Sequence, residues 1–126
     1  MDRRVVLLVV LGVHLAVAAG HGTTHALIPV ALPAWQNVLV LGTVFVGPVV
    51  GVGLVLRGHP LGVPLFTATM AGAFLLGGVL HFLVENPDHV AAIPVGQWRA
   101  PFQASAVGVA FTSAIGTVVG FRYWRA

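Results

Sequence analysis

Apolar residues fill four long stretches of this chain, divided by short clusters of Pro, Gly, His, Asn and charged residues. Each stretch is close to the roughly 20 residues with which an α-helix crosses the hydrocarbon core of a bilayer, so the pattern predicts four spans. The first runs from Val5 to about Gly20, where Gly20 and Gly22 are expected to loosen it around His21. Pro29 and Pro33 then keep a long helix from resuming before Trp35. The second runs from about Gln36 to Leu56, with Pro48 inside it as a kink of the kind membrane helices tolerate. Arg57-Gly58-His59-Pro60 is a turn. The third starts between Leu61 and Pro64 and continues through His81 to about Glu85. Asn86-Pro87-Asp88 then reads as the N-cap and first turn of a short surface helix carrying His89. The fourth runs from about Pro101 to Phe121. The predicted fold class is an all-α integral membrane protein, a four-helix bundle of two tandem hairpins (about residues 5–56 and 61–121) in one membrane domain.

Composition agrees. Hydrophobic residues make up 58% of the 126 and charged residues 7%, against about 25% charged in a soluble domain. Most of the chain cannot be covering a water-facing surface. The basic head Met1-Asp2-Arg3-Arg4, the apolar run behind it and Ala16-Val17-Ala18 also fit a secretory signal peptide. Cleavage there would delete one of two halves that otherwise match, so the segment is read as the first span. With no cysteine, disulfides, thiolate metal sites and thioether-linked haem are excluded.

The six arginines speak to topology and not to nucleic acid, because they form no basic face. Four spans place Arg3, Arg4, Arg57, Arg122 and Arg125 on one side and Arg99 alone on the other. The positive-inside rule then puts both termini in the cytoplasm of a cell-membrane protein. Trp35 and Trp98 fall in the outer aromatic belt, and Tyr123 and Trp124 in the inner one. The expected partners are the lipid bilayer and other membrane subunits or further copies of the chain.

A motif occurs twice. His21 to Trp35 and Glu85 to Trp98 each place a metal-capable side chain four residues before a histidine, then Ile-Pro-Val, then tryptophan. Aligning His25 with His89 aligns His21 with Glu85 at an offset of 64 residues, which suggests two equivalent halves related by an axis along the membrane normal. Small residues mark expected packing faces, since close approach of helices in lipid depends on them. One row is Gly12, Ala16 and Gly20; a second Thr43, Gly47 and Gly51; a third Ala104, Gly108, Thr112, Gly116 and Gly120. Thr69, Ala73 and Gly77 form a fourth, which continues to His81 and turns it inward.

Candidate chemistry rests on histidines and acids near the outer ends of the odd-numbered helices. At about 1.5 Å per residue, His21 lies about 24 Å beyond Val5 and His81 about 26 Å beyond Pro64, at similar depth. Residues four apart share a helix face, so His21 with His25, and His81 with Glu85, each present two donors to one point. His89 on the surface helix adds a fifth candidate. Imidazole and carboxylate suit zinc, copper(II) or iron, whereas a chain with two methionines and no cysteine is poorly equipped for copper(I). The plainer alternative is a set of interfacial histidines bonded to Thr23, Thr24, Asn86 or backbone, with Glu85 paired to Arg99.

Haem b is a further alternative. It would use His14, the one deeply placed histidine, with His81 as the opposite axial ligand. His59, in the cytoplasmic turn, reads as solvated. No phosphate loop, dinucleotide fingerprint, nucleophile elbow or zinc-protease motif is present, so nucleotide and hydrolase chemistry have no support and an enzyme is not the favoured class. The sequence therefore points to a small membrane protein with a histidine and carboxylate site at its outer face. Metal binding or transfer, or an accessory role in a membrane complex, is the expected function. A haem electron-transfer subunit and a purely structural subunit are the competing classes.

Overall fold

In the computed structural model, which describes residues 1–126, the chain forms helices and turns with no strand. Four helices are long and apolar enough to cross a membrane: α1 (Arg3–Leu27), α2 (Ala34–Leu56), α3 (Gly62–Leu83) and α4 (Arg99–Trp124). Asp2 starts α1 by accepting the Arg4 N–H at 2.9 Å. Contrary to expectation, α1 does not loosen at Gly20 but stays helical past His25. The Thr23 and Thr24 hydroxyls bond back to the carbonyls of Ala19 and His21 and leave the backbone ladder intact. The helix stops where Pro29 requires it, with Ile28 extended at φ −117° and ψ 135°.

Both α2 and α3 contain a wide π turn. In α2 it covers Leu41–Val46, just ahead of Pro48. In α3 it forms the last turn, Val79–Leu83, closed by the Val84 N–H on the Val79 carbonyl at 2.9 Å. The helix thus ends before Glu85, and the expected surface helix at Asn86 is absent. Asn86 caps backward instead: its amide donates to the carbonyls of Leu80 (2.7 Å) and Val84 (2.6 Å), while its Oδ1 accepts the Asp88 N–H at 2.8 Å. A side chain committed to the end of α3 is not free to start a new helix. At the other end of the bundle, α2 and α3 are joined through Gly58, whose φ of 72° suits glycine.

The buried positions of α1 are Leu7, Leu11, His14, Ala18, His21 and Thr24, and those of α4 include Phe102, Ala106, Val109, Ser113, Gly116 and Gly120. Both sets recur every three or four residues, the spacing of coiled-coil-like seams in helical bundles. Three core layers follow along the axis. Leu7, Leu11, Val52, Val55, Val63, Phe66 and Met70 fill the end that holds both termini. Ala18, Val44, Ala73 and Val109 form the middle, and Ile28, Ile93 and Phe102 close the far end. The main partner of α1 is α4, and that of α2 is α3, so among neighbouring helices the first hairpin's own two touch least.

Three of the four small-residue rows lie at these contacts. A Cβ on Gly51 would fall 2.7 Å from the Phe66 backbone nitrogen, and one on Gly108 would fall 2.9 Å from Val17 Cγ1. The row Gly12, Ala16 and Gly20 faces outward instead, with open space beside both glycines. The physical reason is polarity: a helix has one inner face, and burying His14 and His21 turns this row away.

Gly51→Leu is therefore expected to force α2 off α3 and destabilise the protein by about 1–3 kcal/mol, the usual cost of overpacking. Gly12→Ala should leave the melting temperature in detergent unchanged or slightly raised. Thermal unfolding followed by circular dichroism checks both.

Candidate metal centre

Two polar bridges fix α1 against α4 in antiparallel register. His14 Nδ1 meets Thr112 Oγ1 at 3.0 Å and His21 Nδ1 meets Ser105 Oγ at 2.9 Å, seven residues apart on each helix. His14 is structurally complete. Pro48 has no N–H to give the Val44 carbonyl four residues before it, and His14 Nε2 donates to that carbonyl at 3.0 Å. Both ring nitrogens of this fully buried side chain are thus in use, and no axial position on it is open to haem.

His21 sits about two turns nearer the far end, where His25 and His81 join it. The Nε2 atoms of His25 and His81 each lie 3.2 Å from His21 Nε2. One donor atom from each of the three rings falls within 4.8 Å of the others, a group that could hold a metal ion. Phe102, fully buried, packs on all three rings with centroid separations of 4.9, 4.9 and 5.7 Å.

The protons on the far sides of two rings are assigned by their partners. His81 Nδ1 lies 2.9 Å from the Asp88 backbone carbonyl, which only accepts, so that nitrogen carries a proton. The Ser105 hydroxyl donates to the Phe102 carbonyl at 3.0 Å and is left to accept from His21 Nδ1. In neutral rings so protonated, the two Nε2 atoms are bare lone pairs facing each other. A cation between them would turn that repulsion into ligation, and hydrogen-bond partners on Nδ1 are the usual device for orienting metal-bound imidazoles.

Asp88 completes the site from the connection between α3 and α4. The segment wraps around His81: Asp88 accepts from its ring, and the Val90 N–H donates to its carbonyl at 3.0 Å. Gln103 on α4 anchors the wrap through the Val90 carbonyl at 2.8 Å. The Asp88 carboxylate is buried, with Oδ1 at 3.2 Å from His25 Nε2 and Oδ2 at 3.4 Å from His81 Nδ1. The Oδ1 approach is close enough for charge but lacks hydrogen-bond alignment, so this oxygen has no donor. Burial pushes the carboxyl up from 3.8 to about 7.

Of the five residues expected to share an ion, the structure joins His21, His25 and His81 and leaves two outside. Glu85 is exposed, beyond the end of α3, and pairs with neither Arg99 nor a histidine. His89 is half-buried in a turn, its Nδ1 accepting the Ala91 N–H at 3.1 Å. The two copies of the motif therefore differ locally, His25 being helical and His89 not, although Ile28 and Ile93 do pack in one cluster. Asp88, Ser105 and Phe102 are the additions. Sequence offered a signal only for Asp88, the buried acid of the Asn-Pro-Asp turn, and its capping chemistry masked it.

In metal-free protein, a carboxyl with its midpoint near 7 is protonated below that pH and ionised above it. The infrared band of a protonated carboxyl, identified by its loss in Asp88→Asn, should fade as pH rises through about 7. An ion held beside Asp88 favours the carboxylate, so zinc added at pH 6 should remove the band. A band unchanged by zinc would place Asp88 away from the ion. Neither a family model, nor a curated protein, nor a solved structure matches this chain, and its chemistry is read from its own residues.

Proposed function

We propose that this chain is a multi-pass membrane protein that binds one transition-metal ion through His21, His25 and His81, with Asp88 as a fourth oxygen donor or charge partner. The observation that carries the reading is the pair of 3.2 Å Nε2 separations. Tetrahedral ligands at the zinc–nitrogen distance of about 2.0–2.1 Å stand about 3.3 Å apart, so two of the three nitrogen pairs already have the spacing of a coordination shell, and all three donor atoms lie within 4.8 Å of one another. Three nitrogens and an oxygen without sulfur suit zinc, copper(II) or iron. Metal binding or transfer at the membrane is the function this supports. Haem b is disfavoured by the commitment of both His14 nitrogens.

Membrane insertion is supported by the four apolar helices and by what they leave uncovered. Val9, Leu75, Phe111 and Val118 are each at least 60% exposed, on outward faces that water would not favour. With both termini and the Arg57 turn at one end of the bundle, the arginine count orients that end to the cytoplasm and the metal site to the outside. Since the chain has no cysteine, Ala31→Cys provides a unique label in the exposed outer connection. An impermeant maleimide should modify it in intact cells, and modification only after lysis would reverse the orientation.

Purified protein stripped of metal should take up one equivalent of zinc. His81→Ala should weaken binding by at least about 100-fold, and Ser105→Ala, which removes an outer partner, by about tenfold. Glu85→Gln and His59→Ala should leave it unchanged, since Glu85 is exposed and His59 lies in the turn at the opposite end of the bundle. Isothermal titration with zinc measures all four. Full retention of affinity in His81→Ala would reduce the cluster to a metal-free network of shared protons.

A further inference from the structure

Beside the three histidines lies a half-open cavity of about 450 Å³. His21, His25, His81 and Asp88 form its polar end, and Val44, Phe45, Ala73, Leu76 and Leu80 contribute its apolar walls. Both π turns border it, that of α2 through Val44 and Phe45 and that of α3 through Leu80 and His81. Such wide turns recur at functional sites because they displace side chains from their regular helical positions. The outer stretch of α2, Ala34–Val40, makes few contacts with the other spanning helices apart from Val40, and exposed Gly22, Ala31 and Asn37 are among the residues that line the cavity. The cavity thus opens beside the connection between α1 and α2, and most of its lining is apolar.

The lining specifies the chemistry of what fits. Apolar walls require an apolar body, and at about 30 Å³ for each water-sized unit the volume admits on the order of fifteen non-hydrogen atoms. The polar end offers an ion with a face not covered by imidazole, and Asp88 Oδ1, which is buried and has no donor. A hydroxyl complements both at once, its oxygen lone pair toward the ion and its hydrogen toward the carboxylate. A carboxylate head would set like charge against Asp88, and a hydrocarbon or ether would leave Oδ1 unpaired. We propose that this cavity binds a lipid-soluble alcohol or phenol, with its hydroxyl seated between the bound ion and Asp88 Oδ1. The proposal rests on the metal reading above and names the class of molecule that site would receive.

Cobalt(II), which takes zinc sites and absorbs in the visible, allows the two readings to fail separately. The full chain in detergent is loaded with cobalt and titrated with 4-hexylphenol, and in parallel with 4-hexylanisole, which has nearly the same shape but no O–H. The expected result is a set of cobalt bands that shift saturably with the phenol, with a response to the anisole at least about tenfold weaker. Gly77→Leu should keep the cobalt bands and lose the phenol response, because a Cβ there lies at an ordinary 3.8 Å from His81 Cδ2 and the remainder fills the cavity. Val40→Trp, on the apolar wall, should do the same. Cobalt bands indifferent to the phenol, an equal response to both probes, or an undiminished response in both variants would overturn this proposal and leave the metal site standing. Absence of cobalt bands in the unmodified protein would overturn the metal reading and this one with it.

Discussion

An imidazole buried among apolar helices must have partners for its ring nitrogens, because an unpaired polar group there costs several kcal/mol. Three buried or half-buried histidines on α1 impose this condition on the whole bundle. His14 is met by Thr112 and by the carbonyl that Pro48 cannot serve, and His21 by Ser105 and two other histidines. Those bonds choose which face of α1 turns inward and fix its register against α4. The outward rotation of the small-residue row on α1 follows from them.

The far end of the bundle is built around the same requirement. His81 arrives on the final π turn of α3, where the regular ladder has ended and side chains are needed to close it. Asn86 caps that end, the Asp88 backbone carbonyl accepts from the His81 ring, and the Val90 N–H donates to the His81 carbonyl. The connection is thereby pulled over the helix end, and this carries Asp88 into the interior. A carboxylate in that position, with one oxygen lacking any donor, is poorly solvated unless a proton or a cation stands beside it. Beside it stand three converging imidazoles, a group that could hold a metal ion.

The same elements explain why the cavity survives. Pro48 and the π turn before it interrupt the regular ladder of α2, and its outer stretch makes few contacts with the other spanning helices. Space that close-packed helices would have filled remains open between α1, α2 and α3, with the histidines at one end. Elsewhere the packing is tight: Gly51 sits against the Phe66 backbone and Gly116 against Met70.

Composition and apolar run length were enough to define four long helices, because the need to satisfy backbone groups in an apolar medium leaves few alternatives to helix. The i, i+4 pair His21 and His25, and the inward aim of His81, were also legible, since both are properties of a single helix. Helix ends were not. Thr23 and Thr24 kept α1 intact through His25, and a π turn with an Asn86 cap ended α3 before Glu85, through hydrogen bonds that a hydropathy pattern does not contain. The replacement of Glu85 and His89 by Asp88 in the candidate site was decided at that point. Which side of α1 is buried and which acid comes to rest beside three histidines depend on contacts between residues 60 or more positions apart, such as His21 with His81, His21 with Ser105 and His25 with Asp88. Local sequence determines the helices, but only packing brings distant polar groups to one point, because each must find there the partner that its own helix cannot supply.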